Sequence, residues 1–219
     1  MRSIALALLL LAAACGGEGP GDEDARLVEA AARGDLESVR QLLARGVDID
    51  SRDDQGRTAV TAAVYADDLE TVEALIEAGA DVDIQDDMRA NALLATGETG
   101  NVEILRAVLR ASPDLTRTNR FGGTALIPAA HRGHVEVVRE LVGTAMNVDH
   151  VNDPGWTALL EAVILGDGGP AHREIVRILV DAGADTGIAD TDGVTPLEHA
   201  RRSGYAEMIQ ILSQPDATG

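Results

Sequence analysis

A period of 33 residues runs through this 219-residue chain and limits its fold more than any other feature. Thr58, Asn91, Thr124, Thr157 and Thr195 are spaced by 33, 33, 33 and 38 residues. Ala30, Ala63, Thr96, Ala129, Ala162 and Ala200 share that register, as do Val39, Val72, Leu105, Val138, Val176 and Ile209. A fourth ladder is Leu42, Leu75, Val108, Leu141, Leu179 and Leu212. Four ladders in one register mark an array of stacked units. Six units are expected, the fifth carrying a five-residue insertion, Gly166–Pro170.

The fourth unit shows how one repeat is built. Gly122 and Gly123 supply a turn, because glycine tolerates positive φ. Thr124 stands at an N-cap position, and a short helix is expected over Ala125–Ala130. Gly133 is a left-handed C-cap. A second helix follows over Val135–Val142, with Val138 and Leu141 on one face at i, i+3. Two short helices cannot cover their apolar faces alone, so the units must stack.

At this point Asp192–Leu197, Gly133–Val138 and Ala78–Val82 resemble the ankyrin-repeat consensus. The resemblance implies an all-α solenoid of about six helix-turn-helix repeats with projecting β-hairpin loops. The repeats fall at 25–52, 53–85, 86–118, 119–151, 152–189 and 190–212, within a domain of 25–212; residues 213–219 read as a disordered tail. The family's Pro after Thr survives only as Pro196. Its His three residues after Thr is replaced by Thr61, Leu94, Ile127, Leu160 and Glu198. The third repeat departs furthest, with Arg89 for the turn Gly, Asn91 for Thr, and Ser112–Pro113 for Gly–Ala, and is expected to be the least regular.

Composition removes several chemistries. All eighteen basic residues are Arg, which excludes a Lys Schiff base and a P-loop. One Cys rules out an internal disulfide or a CxxC pair. A net charge of −19 is ill matched to nucleic acid, while a hydrophobic content of 45% is enough for a core. There is no HExxH and no GxSxG. His131 and His134 flank a helix break, and His134 sits at the family's structural Gly–His position. Asp53–Asp54 and Asp86–Asp87 read as turn acids. The Gly166–Pro170 insertion reads as an extended turn. No cofactor, metal or catalytic residue is assigned, and an envelope hydrolase using carboxylates or His131 is the remote alternative.

The N-terminus reads as an address. Arg2, an uncharged run over Ile4–Ala14 and a small-residue end make residues 1–14 a secretory signal. Eleven residues are too few to span a bilayer. Cys15 directly after Ala12–Ala14 resembles the lipobox of bacterial lipoproteins, which implies lipidation at Cys15; Ala12, where the family usually has Leu, leaves cleavage to a soluble form as the alternative. Residues 15–24, rich in Gly and acid, read as a flexible tether. The expected location is the periplasm, lipid-anchored, with the outer membrane favoured because residue 16 is Gly rather than Asp.

Ankyrin proteins bind partners through turn tips and the exposed end of the first helix. On that pattern Arg57, Tyr65, Arg120, Phe121, His131, Arg132, Trp156 and Leu165 are the candidate contacts, and three of the four aromatics fall among them. Residues 53–85 carry one Arg against nine acids, whereas 119–151 balance three against three. The expected function is non-catalytic capture of a protein partner by a monomer, on the concave face of repeats four and five. A narrower alternative is an inhibitor or immunity protein of an exported, basic enzyme or toxin.

Overall fold

The computed structural model describes residues 20–213, with side chains from residue 25 onward. Signal residues 1–14, Cys15 and residues 214–219 lie outside that range. Twelve helices are described, two per repeat: α1 Pro20–Ala32, α2 Leu36–Ala44, α3 Ala59–Tyr65, α4 Leu69–Glu77, α5 Ala92–Thr99 and α6 Val102–Arg110. The series continues as α7 Leu126–Arg132, α8 Val135–Val142, α9 Ala158–Ile164, α10 Pro170–Asp181, α11 Pro196–Ser203 and α12 Ala206–Leu212. Odd-numbered helices pack on one another in one row and even-numbered helices in a second. Ladder residues such as Val39, Leu75, Leu105, Val138, Leu141 and Leu179 lie between the rows in one continuous apolar core. Each fully buried Leu or Val contributes about 1.5–3 kcal/mol relative to exposure.

The expected β-hairpins are not strands. Among the described residues there is only an isolated bridge, Arg52 with Thr58. The loops are tight turns in which the amides of Asp53, Asp86, Asn119, Asn152 and Asp190 donate to carbonyls four residues later. The side chains of those five residues complete the turn. Asp53, Asp86, Asn119 and Asp190 each accept from the amides two and four residues on. Asn152 accepts only from Trp156 N, because the residue two on is Pro154, which has no N–H. A second ladder, Asp48, Asp81, Asp114, Asn147 and Asp185, accepts from the amide two residues on. Much of the acidity thus serves to satisfy turn amides. These bonds hold carboxyls such as Asp190 below the usual range, through the Val194 amide first and His199 next.

Several elements differ from expectation. Pro20–Asp24, assigned to the tether, form the start of α1. Proline is pre-organised for a helix's first position, and acids favour a first turn. Helix α7 begins at Leu126 with Ala125 as cap, and the Thr124 hydroxyl has no partner. The cause is Pro128. Elsewhere the capping residue's carbonyl accepts from the amide four residues on, as in Thr157 to Glu161. At Thr124 that residue is Pro128, so Ile127 N takes the carbonyl instead and tightens the turn. Helix α8 and the left-handed Gly133 cap fall where expected. The third repeat keeps both helices; its irregularity is confined to the turns, where Arg89 and Ser112 take positive φ.

The insertion in repeat five is pinned. His172 Nδ1 lies 2.9 Å from Asp167 and Nε2 lies 2.9 Å from the His131 carbonyl, while Tyr205 donates to the Gly166 carbonyl at 3.2 Å. Pro170 begins α10, which is longer than its sister helices.

At Gly97 in α5 a Cβ would sit 2.3 Å from the carbonyl oxygen of Ala125, the cap of α7. Gly97→Ala should therefore lower stability by about 1–3 kcal/mol, although alanine is the better helix former. A urea melt of the pair checks this, and a more stable variant would contradict it.

Candidate functional site

Turn tips in neighbouring repeats are joined by backbone hydrogen bonds, Asp87 N to Gln55 O and Asp153 N to Phe121 O. Between the third and fourth turns no such backbone bond is made among the described residues. Gln85 Nε2 donates there to Thr118 O, Arg89 to Thr118 Oγ1, and Arg120 Nη1 to Met88 Sδ at 3.5 Å. A groove of about 490 Å3 lies across this junction. Its lining includes Arg57, Tyr65, Met88, Glu98, Arg120 and Phe121. A second recess of about 250 Å3 shares Glu98 and Phe121 with it and reaches Ile127, His131, Arg132 and Glu161.

Tyr65, Met88 and Phe121 are three of the five large apolar side chains exposed among the described residues, and all three line the first groove. Phe121 is 52% exposed and the Arg120 guanidinium sits 4.6 Å from its ring centre. Such cation–π stacking holds a long side chain over the ring. Trp156 is half-buried and lines neither recess, and Leu165 is exposed away from both. The sequence-derived contacts therefore divide. Arg57, Tyr65, Arg120 and Phe121 meet in one groove, and His131 and Arg132 join Phe121 in the next. Two lining residues, Met88 and Glu161, were not among the candidates. Met88 was legible as the third-repeat counterpart of Phe121, one period earlier. Glu161 was legible as a lone acid in a position held elsewhere by Ala62, Ala95, Pro128 and His199.

The charges are arranged with the same selectivity. On the even-numbered helices Arg106 pairs with Glu140, Arg110 with Glu73, Arg139 with Glu174 and Arg173 with Glu207, each bridging two repeats. In the groove, Arg57 is held by Asp53 at 2.9 Å. Arg120 and Arg132 make no ion pair among the described residues, in a chain with twice as many acids as bases. Burial, then Glu98 and Asp86, pushes the Tyr65 phenol up to about 12. Burial raises the Glu161 carboxyl, opposed by a hydrogen bond from Asn152. Four of the five histidines have bonded rings: His134 to Glu98 O, His150 to Gly122 O, His172 as above and His199 to Asp190. No cluster of three metal-ligating side chains occurs among the described residues.

A family profile described as Ankyrin repeats (3 copies) matches residues 6–86, 27–119, 92–190 and 147–218. An ankyrin repeat domain from Acinetobacter baumannii AYE is 48% identical, with a TM-score of 0.82 over 85% of this chain and 95% of that one. The ankyrin repeat protein EF0377 is 39% identical, with a TM-score of 0.82 over 86% and 96%. Among curated relatives, the ankyrin repeat protein YahD of Escherichia coli K12 is 44% identical over 52 residues, 24% of this chain and 26% of that protein. The ankyrin repeat protein RF_p14 of Rickettsia felis is 53% identical over 38 residues, 17% and 60% respectively. The matched segments thus cover about a quarter and three fifths of those two relatives.

The raised Tyr65 value fixes a sign. A phenol held protonated by the fold loses ground to the unfolded chain as pH rises from about 10, its ordinary value, toward about 12, its folded one. Stability should fall over that window, and less steeply in Tyr65→Phe. Urea midpoints taken from pH 9 to 12 test this; parallel slopes for the two proteins would refute it.

Proposed function

The chain belongs to the ankyrin-repeat family, whose repeats mediate protein–protein interaction, and from that premise we propose that it is a non-catalytic binding module of the bacterial cell envelope. Its contact surface is the groove running from Tyr65 through Met88 and Phe121 to His131. The observation that carries this reading is the gathering of three exposed apolar side chains and an unpaired, ring-stacked Arg120 at one junction of repeats. Exposed apolar surface costs solubility and is concentrated at contact sites. Aromatic and Arg side chains dominate interface energies. The centre of the surface is the junction of repeats three and four, one repeat nearer the N-terminus than the sequence pattern alone suggests.

Family positions for Trp156 and Leu165 set them beyond the groove's end, as rim contacts at most. Replacing Arg120 and Phe121 together by Ala should weaken partner capture at least about tenfold and leave the melting temperature within a degree or two. Trp156→Ala with Leu165→Ala should weaken it much less. Quantitative pull-down from solubilised envelopes measures both, and the reverse ranking would sink this placement.

The envelope assignment rests on residues 1–15 of the sequence. Lipidation at Cys15 would tether the array to a membrane surface, more than one acyl chain being needed for stable anchoring. Cys15→Ala should move the protein from the membrane pellet to the soluble fraction. Unchanged fractionation, or processing indifferent to globomycin, would argue for the soluble exported form.

A further inference from the structure

Glu161 of α9 occupies a position that is small and apolar in Ala62, Ala95 and Pro128 of the earlier repeats. It is 6% exposed, yet it lines the recess beside Phe121 and His131. Asn152 Nδ2 donates to Oε1 at 3.0 Å. Oε2 receives no hydrogen bond, and the nearest basic group is His131 Nδ1, at 3.7 Å. Burial, then Arg132 and His172, holds that imidazole below the usual histidine range, which favours its neutral form. Oε2 is thus left open to the recess, while burial of the rest of the side chain disfavours the charged carboxylate, a cost that the alanine used by two sister repeats would avoid.

Resting on the groove as the partner-binding surface, we infer that Glu161 is the receptor for one arginine side chain of the docked partner. The guanidinium enters the recess past Phe121 and Pro154 and pairs with Oε2, while Asn152 fixes the plane of the carboxylate. Glu98, on the same lining, adds a second negative charge. Arg132, the one permanent cation there, is exposed and remains solvated. Guanidinium suits the site better than ammonium: it is more weakly hydrated, and its planar fork matches a carboxylate.

The test titrates the full chain with N-acetyl-arginine amide and with N-acetyl-citrulline amide, which keeps the shape and lacks the charge. The Ile127 and Phe121 NMR signals are followed. Saturable shifts with the arginine amide, at least tenfold weaker with citrulline, are expected. Glu161→Gln should erase that preference and melt at or above the wild-type temperature. Equal responses to the two amides on the unaltered chain overturn the inference, and that comparison needs no variant to fold. A preference surviving in Glu161→Gln overturns it too. Full partner retention by Glu161→Gln, with loss in the Arg120, Phe121 double variant, leaves the groove standing and removes the arginine subsite.

Discussion

The fold depends on side-chain oxygens that accept turn amides. Asp53, Asp86, Asn119, Asn152 and Asp190 each close a turn from within, and each turn sets where the next first helix begins. A second set, from Asp48 to Asp185, does the same where each repeat hands over to the next. Other acids reach across: Asp50 accepts from Asp81 N, Asp83 from Asp114 N, and Asp149 from Asp185 N. Part of the net charge of −19 is thus a by-product of how the array is held together. Among the described residues the tip-to-tip backbone bond is missing between the third and fourth turns and again between the fifth and sixth, and the groove lies on the former.

Much of this was legible in the sequence because ladders and caps are local signals. Val135–Val142 and the Gly133 cap needed only periodicity and a glycine. The late start of α7 was legible in principle, since Pro128 stands four residues after Thr124, but it requires asking which amide serves each capping carbonyl. The site was harder. A consensus position says that a side chain is variable, not which side chains converge. Tyr65 and Phe121, two repeats apart, line one groove across a junction whose turn tips share no backbone bond. Trp156 satisfied the same consensus, yet its side chain is half-buried and away from both recesses. Glu161 was hidden by its ladder neighbours, whose small size conceals what an acid does there.

The arginines fall into two populations with different physics. Four on the even-numbered helices clasp glutamates of an adjacent repeat on solvent-exposed faces, where each pair contributes little, about 0–1 kcal/mol. On the groove side Arg57 is held by Asp53, Arg120 lies over the Phe121 ring and Arg132 is solvated. In an array without Lys, guanidinium is the sole permanent side-chain cation. Most of its pairs between repeats lie on the even-numbered helices, whereas Arg120 and Arg132 beside the recesses make none among the described residues.

The pinned insertion of repeat five has a consequence for how the array comes apart. A solenoid held only by nearest-neighbour contacts frays from its ends, one unit at a time. Here the loop from Gly166 is bonded forward to Tyr205 of the last repeat, and through His172 back to the His131 carbonyl of the fourth. Three consecutive units therefore share one clasp. The last repeat cannot lift away without breaking a bond to that clasp, which adds about 1 kcal/mol to the cost of fraying there. The same loop thereby ties the end of the array to its middle, and the insertion reinforces the two interfaces it touches rather than loosening them.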